Sequence, residues 1–399
     1  MTLFKFELRK LLLNKRNAII MAVLLVSYCA IGVGMSVFSF GSIDNYNTYS
    51  AMANAAAGPY NEEQAQISNA AYDAALDRYG NADGIAHIAM EDPQLKFDVA
   101  YHDYSTTVDE YWNGPETQDL ANLKGIYPIQ DRMAVLEADG ATDSYEYRKL
   151  SNQLETELAA GEPEFHNVAL WDSLISTWGG MMTSILLFFP MSFLIASVYT
   201  KEKTTGMDNI ILSSKHGQRQ IVLAKIAATA VTCATTALAF FAGTFAGTFI
   251  PFGTLGGIGL PLKTLSSFAN TQLVMSIGGF AALSIVWVIF VAVVYGIIMA
   301  LLSSKMKNQA AVFGIGILLL MSNLLIESMG TSIIALLEPI IKFGFLKTIN
   351  VSTIFGGVTT FNVFGMVVPY SIMALIVMTV LGILAFIGVR ISQKYRTIA

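Results

Sequence analysis

Charge is scarce in this chain. Asp, Glu, Lys and Arg supply 13% of its 399 residues, against about a quarter in soluble globular domains, which excludes an ordinary water-soluble globule. Cysteine is scarcer still: Cys29 and Cys233 both lie inside apolar runs, so no disulfide staples the water-facing part and packing must hold it. The four histidines, at 87, 102, 166 and 216, are scattered, and no His-Glu-x-x-His occurs. Asp98 with His102, and His87 with Glu91, have the i,i+4 spacing of two metal ligands on a helix face. In an acidic domain such pairs read as solvated surface, and no metal is expected. A Gly-x-x-x-x-Gly-Lys-Ser/Thr phosphate loop is also missing, so any nucleotide energy must come from a partner.

In place of charge there are long apolar runs. Residues 17–40, 173–200, 226–262, 264–304, 308–326 and 348–389 contain no Asp, Glu, Lys, Arg or His. Each holds the roughly 20 residues that cross a bilayer as helix, so six spans are expected. Ionisable groups within a bilayer are costly and persist where they act; their absence from these runs argues against an intramembrane protease, a proton antiporter and a redox protein. The first run begins at Ala18 behind Lys5, Arg9, Lys10, Lys15 and Arg16, and its 23 uncharged residues to Phe40 exceed the core of a secretory signal, so it reads as a retained anchor. With both termini placed inside, segments 1–17, 200–226, 303–308 and 390–399 hold 15 basic and 3 acidic residues, and the rest holds 9 basic and 26 acidic. That bias matches the excess of Lys and Arg on cytoplasmic segments.

Residues 42–167 are the one large polar region, with 23 acidic and 6 basic side chains, too long for a connector. Helices are predicted over 61–79, around 119–138, and from the Asp143/Glu146 capping-box pair to Gly161 and Pro163; the stretch 80–115 shows no clear period. The expected fold is therefore an all-α membrane protein with six transmembrane helices (the first over 18–40), cytoplasmic N and C termini, and a largely helical extracytoplasmic domain between the first two spans. The remaining spans fill 168–399. Pro190 predicts a kink in the second. Gly243 and Gly247 have the spacing that lets helices approach closely, read as packing within one subunit ahead of a dimer seam. Segments near 251–268 and 327–365 are too apolar for free loops and are expected to re-enter the membrane. At the N terminus, Phe4, Leu8 and Leu11 share one helical face with Lys5, Arg9 and Arg16 beside it, which reads as an interfacial amphipathic helix over 1–17 on anionic lipid.

Between the second and third spans lies a polar interruption containing Thr204-Thr-Gly-Met-Asp-Asn-Ile-Ile-Leu212. Thr205 stands three residues before Asp208, the capping-box spacing, and Met207, Ile210 and Ile211 form an i, i+3, i+4 ridge. A helix over about 205–215 is too short to be stable alone in water, and its ridge is narrow for a membrane-lying helix, so a protein socket is expected. Here the residues resemble the membrane subunit of ATP-binding-cassette exporters of the type-2 permease class. The resemblance rests on Glu202, Gly206, Ile210-Ile211-Leu212, Ser213-Ser214, Arg219 and Lys225, and on Phe6-Glu7-Leu8-Arg9-Lys10-Leu11 near the N terminus. Lys215-His216-Gly217 stand where many members have a proline.

The resemblance implies that 205–215 is a coupling helix seated in a cytoplasmic ATPase that carries the MgATP, with Thr205 and Met207 in the coupling segment. It implies a second permease subunit, identical or paralogous, and Glu202 bracing the loop against the N-terminal helix through Arg9 or Lys10. The chain itself is then not an enzyme and holds no cofactor, and no nucleic acid is expected as partner. Localisation follows as the bacterial cytoplasmic membrane, and the cargo as an amphiphilic or hydrophobic peptide, antimicrobial or drug-like compound, or sodium as in one branch of the family. The competing class is a non-transporting receptor whose outer domain reads a ligand; a secondary carrier would work without ATP.

Overall fold

A computed structural model describes residues 3–118, 123–207, 217–269, 271–327, 341–357 and 359–394. A short helix α1 (Leu3–Leu11) precedes α2 (Lys15–Phe40). The polar region follows as α3 (Ile43–Ala55), α4 (Glu62–Tyr79), α5 (Ala82–Ala89), α6 (Pro93–Asn113), α7 (Ile126–Ala138) and α8 (Tyr145–Ala160). The chain then returns through α9 (Ala169–Gly179), α10 (Met181–Thr205), α11 (Gly217–Phe249), α12 (Ile277–Lys305) and α13 (Gln309–Glu327). Two short helices, α14 (Phe345–Ile349) and α15 (Val351–Phe355), precede an antiparallel hairpin of β1 (Thr360–Val363) and β2 (Met366–Pro369), and α16 (Tyr370–Lys394) ends the described chain.

The protein is mostly helical, and six of the described helices, α2, α10, α11, α12, α13 and α16, are long and apolar enough to cross a membrane. Their outward faces carry exposed Val23, Val26 and Phe38 on α2 and Leu375, Ile383 and Leu384 on α16, continuous apolar surface that a water-soluble monomer does not present. The second span starts later than its uncharged run. Residues 169–179 form the separate, almost wholly buried α9, because the chain turns extended at Gly180 before α10 begins. Pro190 sits inside α10.

The polar domain of α3 to α8 is organised on α6. Asp92 caps it by accepting from the backbone of Gln94 and Leu95, and Pro93 stands at its first turn, where a missing N–H is harmless. Phe97, Tyr101, Tyr104 and Val108 then line one face and are all buried. The helices expected over 61–79 and near 143–161 are present, the latter capped by Ser144, whose hydroxyl accepts from Tyr147 N. Residues 80–115, where no period was evident, hold α5 and α6. Aromatic packing joins domain to spans: Tyr46 stacks edge-on to Phe40 of α2 (5.0 Å) and to Phe252 beyond α11 (4.8 Å). Of the two apolar segments expected to re-enter, 251–268 folds back as turns that bury Leu262, Leu265 and Phe268. In the other, 328–340 and 358 lie outside the described residues, and α14 and α15 pack inward through Phe345, Ile349, Val351 and Ile354.

Candidate functional site

The ends of two spans, α10 and α11, meet α1 in a buried ionic cluster. On α1, Phe4, Glu7, Leu8 and Leu11 fall at i, i+3, i+4 and i+7, one helical face. Glu7 and Leu11 are buried there, and Phe4 and Leu8 pack against the core. A carboxylate in the middle of an inward face requires a partner. Lys225 of α11 supplies it: its Nζ lies 3.0 Å from Glu7 Oε2, and the two side chains are only 1% and 2% exposed. The same ammonium donates to Glu202 Oε1 (2.6 Å) and to the Val198 carbonyl (3.1 Å), both on α10, so its three N–H donors are all engaged. It also sits 5.2 Å from the centre of the Tyr199 ring. Lys10 completes the group, donating to Glu202 Oε1 at 2.5 Å and lying 3.8 Å from Glu7.

Two carboxylates and two ammonium groups make the cluster neutral, and charge-assisted bonds of this kind are shorter and stronger than neutral ones. A neighbouring contact adds a fourth element. Lys203, one residue after Glu202, donates to the carbonyls of Ser304 (2.5 Å), Met306 (3.1 Å) and Ser303 (3.3 Å), the end of α12 where helix carbonyls lack partners and attract cations. Among the hydroxyls along α11, Thr232, Thr236 and Thr244 donate to carbonyls four residues back and are satisfied within the helix, whereas the buried Thr229 and Thr248 hydroxyls have no partner among the described residues.

Of the residues singled out by sequence, Glu202, Lys225, Glu7 and Lys10 are brought together. Arg9 and Lys5 are exposed and outside the cluster; Lys10 is the basic residue that holds Glu202. Phe4, Leu8 and Leu11 are turned toward protein rather than lipid, because Glu7 shares their face and is drawn to Lys225. The apolar side chains left exposed nearby are Leu3, Phe6 and Leu13. Thr205 is the last residue of α10, its hydroxyl donating back to the carbonyls of Lys201 and Glu202, and not forward to a new helix start. Gly206 follows with φ +70°, a left-handed C-cap, and Met207 is exposed. Asp208–His216, including Ile210, Ile211 and Leu212, lie outside the described residues, and Arg219 falls in the first turn of α11.

Gly243 and Gly247 face α2. A Cβ on Gly243 would stand 2.7 Å from Tyr28 Cβ, and one on Gly247 would stand 2.1 Å from the Cys29 carbonyl. In the polar domain Asp98 accepts from Ser68 (3.0 Å) and Gln94 (3.1 Å), while His102 bonds Asn69 and stacks on Tyr72 at 3.9 Å. Among the described residues no three His, Cys, Asp or Glu side chains are grouped to hold a metal ion.

Sequence reasoning missed the Glu7–Lys225 pair. Its signal was there: Glu7 interrupts the only apolar stripe of α1, and a charge on such a stripe implies an opposite charge across the interface. No protein family, curated protein or solved structure matches this chain.

Proposed function

We propose that this chain is the membrane-spanning permease subunit of an ATP-driven exporter, with a separate cytoplasmic ATPase that carries the MgATP and grips the loop at about 205–215. The observation that carries this reading is the junction just described. Glu202 and Lys203 stand where α10 gives way to that loop, and their bonds tie it to α1, to α11 through Lys225 and to the end of α12. A push or pull on the loop is therefore delivered to four helix ends together rather than absorbed by one. Rigid elements joined in this way carry motion from one side of a protein to another. The chain's own part is mechanical: it positions and moves spans, while hydrolysis belongs to the partner. We place both termini and the loop on the cytoplasmic side of a bacterial cell membrane, with a second permease copy or paralogue beside it, and assign an amphiphilic or hydrophobic cargo.

Affinity purification from native membranes tests the proposal. An ATP-binding-cassette ATPase should co-purify. Ile210→Asp with Ile211→Asp should release it while the chain still inserts, because only the socket-facing ridge is made polar. A functional assembly without any ATPase, or full coupling retained by the double variant, overturns the reading.

A further inference from the structure

On the opposite side of the molecule from the ionic junction, a cavity of about 370 Å³ lies where the outer domain meets α2, α9 and the 263–269 turns. Its size is at the small end of the range for ligand pockets. The charges that line it are not all paired off. Lys263 is held by Glu157 at 2.5 Å and His166 by Glu164 at 3.2 Å, which leaves Asp103 and Lys96 of α6 and Asp172 of α9. No opposite charge among the described residues comes within 4 Å of these three. Lys96 rests instead over the Phe40 ring, 5.7 Å from its centre, and Asp172 takes one hydrogen bond of 3.4 Å from Ser266. With both carboxylates ionised, this set carries one net negative charge.

The remaining wall is aromatic and incompletely satisfied. Phe40, Tyr49, Tyr104 and Phe165 line the cavity. Tyr49 is 3% exposed, yet its hydroxyl forms no hydrogen bond with any described residue, and the buried Ser173 Oγ, also on the wall, has no partner. Buried polar groups are normally hydrogen-bonded, so the Ser173 hydroxyl marks a position for a guest's polar atom, and the Tyr49 hydroxyl is a second group free to bond one. Burial pushes the Asp172 carboxyl up to about 7, with Asp103 adding to the effect and Ser266 and Lys96 opposing it. An ammonium docked beside it would relieve that penalty.

We propose that this cavity binds a small organic cation, a primary ammonium on an aromatic or apolar body, with Asp103 and Asp172 taking the ammonium and the Phe40, Tyr49 and Tyr104 rings taking the body. Aromatic faces attract ammonium groups, and the lone Lys96 opposite two carboxylates makes the site hostile to an anion. The proposal does not depend on the permease reading, and its test requires no ATPase.

The test is calorimetric titration of the full chain, in nanodiscs of phosphatidylcholine and phosphatidylglycerol, with tyramine as probe. Saturable one-to-one binding is expected, with none for N-acetyltyramine or 3-(4-hydroxyphenyl)propionate, which share the ring and lack the cation. Asp172→Asn and Asp103→Asn should each weaken tyramine about tenfold or more, as loss of one partner of a charge contact does. Ser176→Trp, at an exposed position on the cavity wall, should block the site sterically without touching either carboxylate. Wild-type affinity should also fall from pH 8 to pH 6 as Asp172 takes up a proton, and Asp172→Asn should flatten that slope. The other groups facing Asp172 are Asp103, Lys96, Tyr49, Lys263 and the His166–Glu164 pair, and all are unchanged in that variant. Competition by phosphatidylethanolamine added to the nanodiscs would identify a lipid headgroup as the source of the amine, and lack of competition a soluble one; both support the site. Absence of tyramine binding, equal binding of N-acetyltyramine, or binding unaltered in the folded Ser176→Trp and Asp172→Asn proteins overturns it.

Discussion

Lys225 shows how much a single position decides here. Removing its ammonium leaves buried Glu7 with only Lys10, 3.8 Å away at the cluster's rim, as counter-charge, and breaking a buried pair in this way costs about 3–5 kcal/mol. Lys225→Met should lower the melting temperature of the detergent-solubilised chain sharply, whereas Lys10→Met, at the half-buried rim of the cluster, should do so much less. Glu7→Gln combined with Lys225→Gln should be milder than the sum of the single changes; strict additivity would show that the two groups are not coupled. Asp172 of α9 gives the chain a different dependence. Its folded value of about 7 exceeds the unfolded value near 4, so the folded chain keeps a proton that the unfolded chain releases. The resulting stabilisation is complete below about pH 4 and is lost as pH rises to 7. Between pH 5 and pH 8 the wild type should therefore lose more thermal stability than Asp172→Asn, and parallel curves would exclude this origin.

At the scale of elements, the close crossing of α2 and α11 is set by glycines on both sides: a Cβ on Gly32 would stand 2.3 Å from the Thr244 carbonyl. Gly247→Leu must move backbone and should destabilise by about 1–3 kcal/mol. Gly34→Ala, on the same α2 but with nothing within 4 Å, should be neutral or slightly stabilising. Equal effects at the two positions would remove close packing as the explanation. The elements also show where sequence was readable. Spans announce themselves because twenty uncharged residues have few other uses. α6 was not seen in 80–115 because its stripe is Phe, Tyr, Tyr and Val among polar neighbours, so mean hydropathy stays low although the spacing 97, 101, 104, 108 is helical. The separation of α9 from α10 was hidden inside one apolar run, where only Gly179-Gly180 marks the break.

For the whole molecule, the two ends of the spans differ in chemistry. One end is closed by matched charges between Glu7, Lys10, Glu202 and Lys225, and the other by an aromatic collar with a charged cavity beneath the polar domain. The proposed sidedness has a direct check. In a variant lacking Cys29 and Cys233, a cysteine at exposed Glu63 should react with an impermeant maleimide in intact cells, and one at exposed Lys201 only after permeabilisation. The reverse pattern would invert the topology. Half of the ionic cluster is legible from sequence, since likeness of motif picks out all four residues and pairs Glu202 with Arg9 or Lys10, but not Glu7 with Lys225. The other half required three dimensions, because nothing local to Glu7 reveals that its partner lies 218 residues away.

That long interval bears on biosynthesis. Glu7 and Lys10 leave the ribosome early, but their counter-charges emerge only with residues 202 and 225. Helix α1 must then wait undocked while the polar domain and two further spans are made. Nascent chains halted just before position 225 should expose residues 3–11 to protease, and chains released beyond it should protect them, which makes closure of this latch a timestamp of completed insertion.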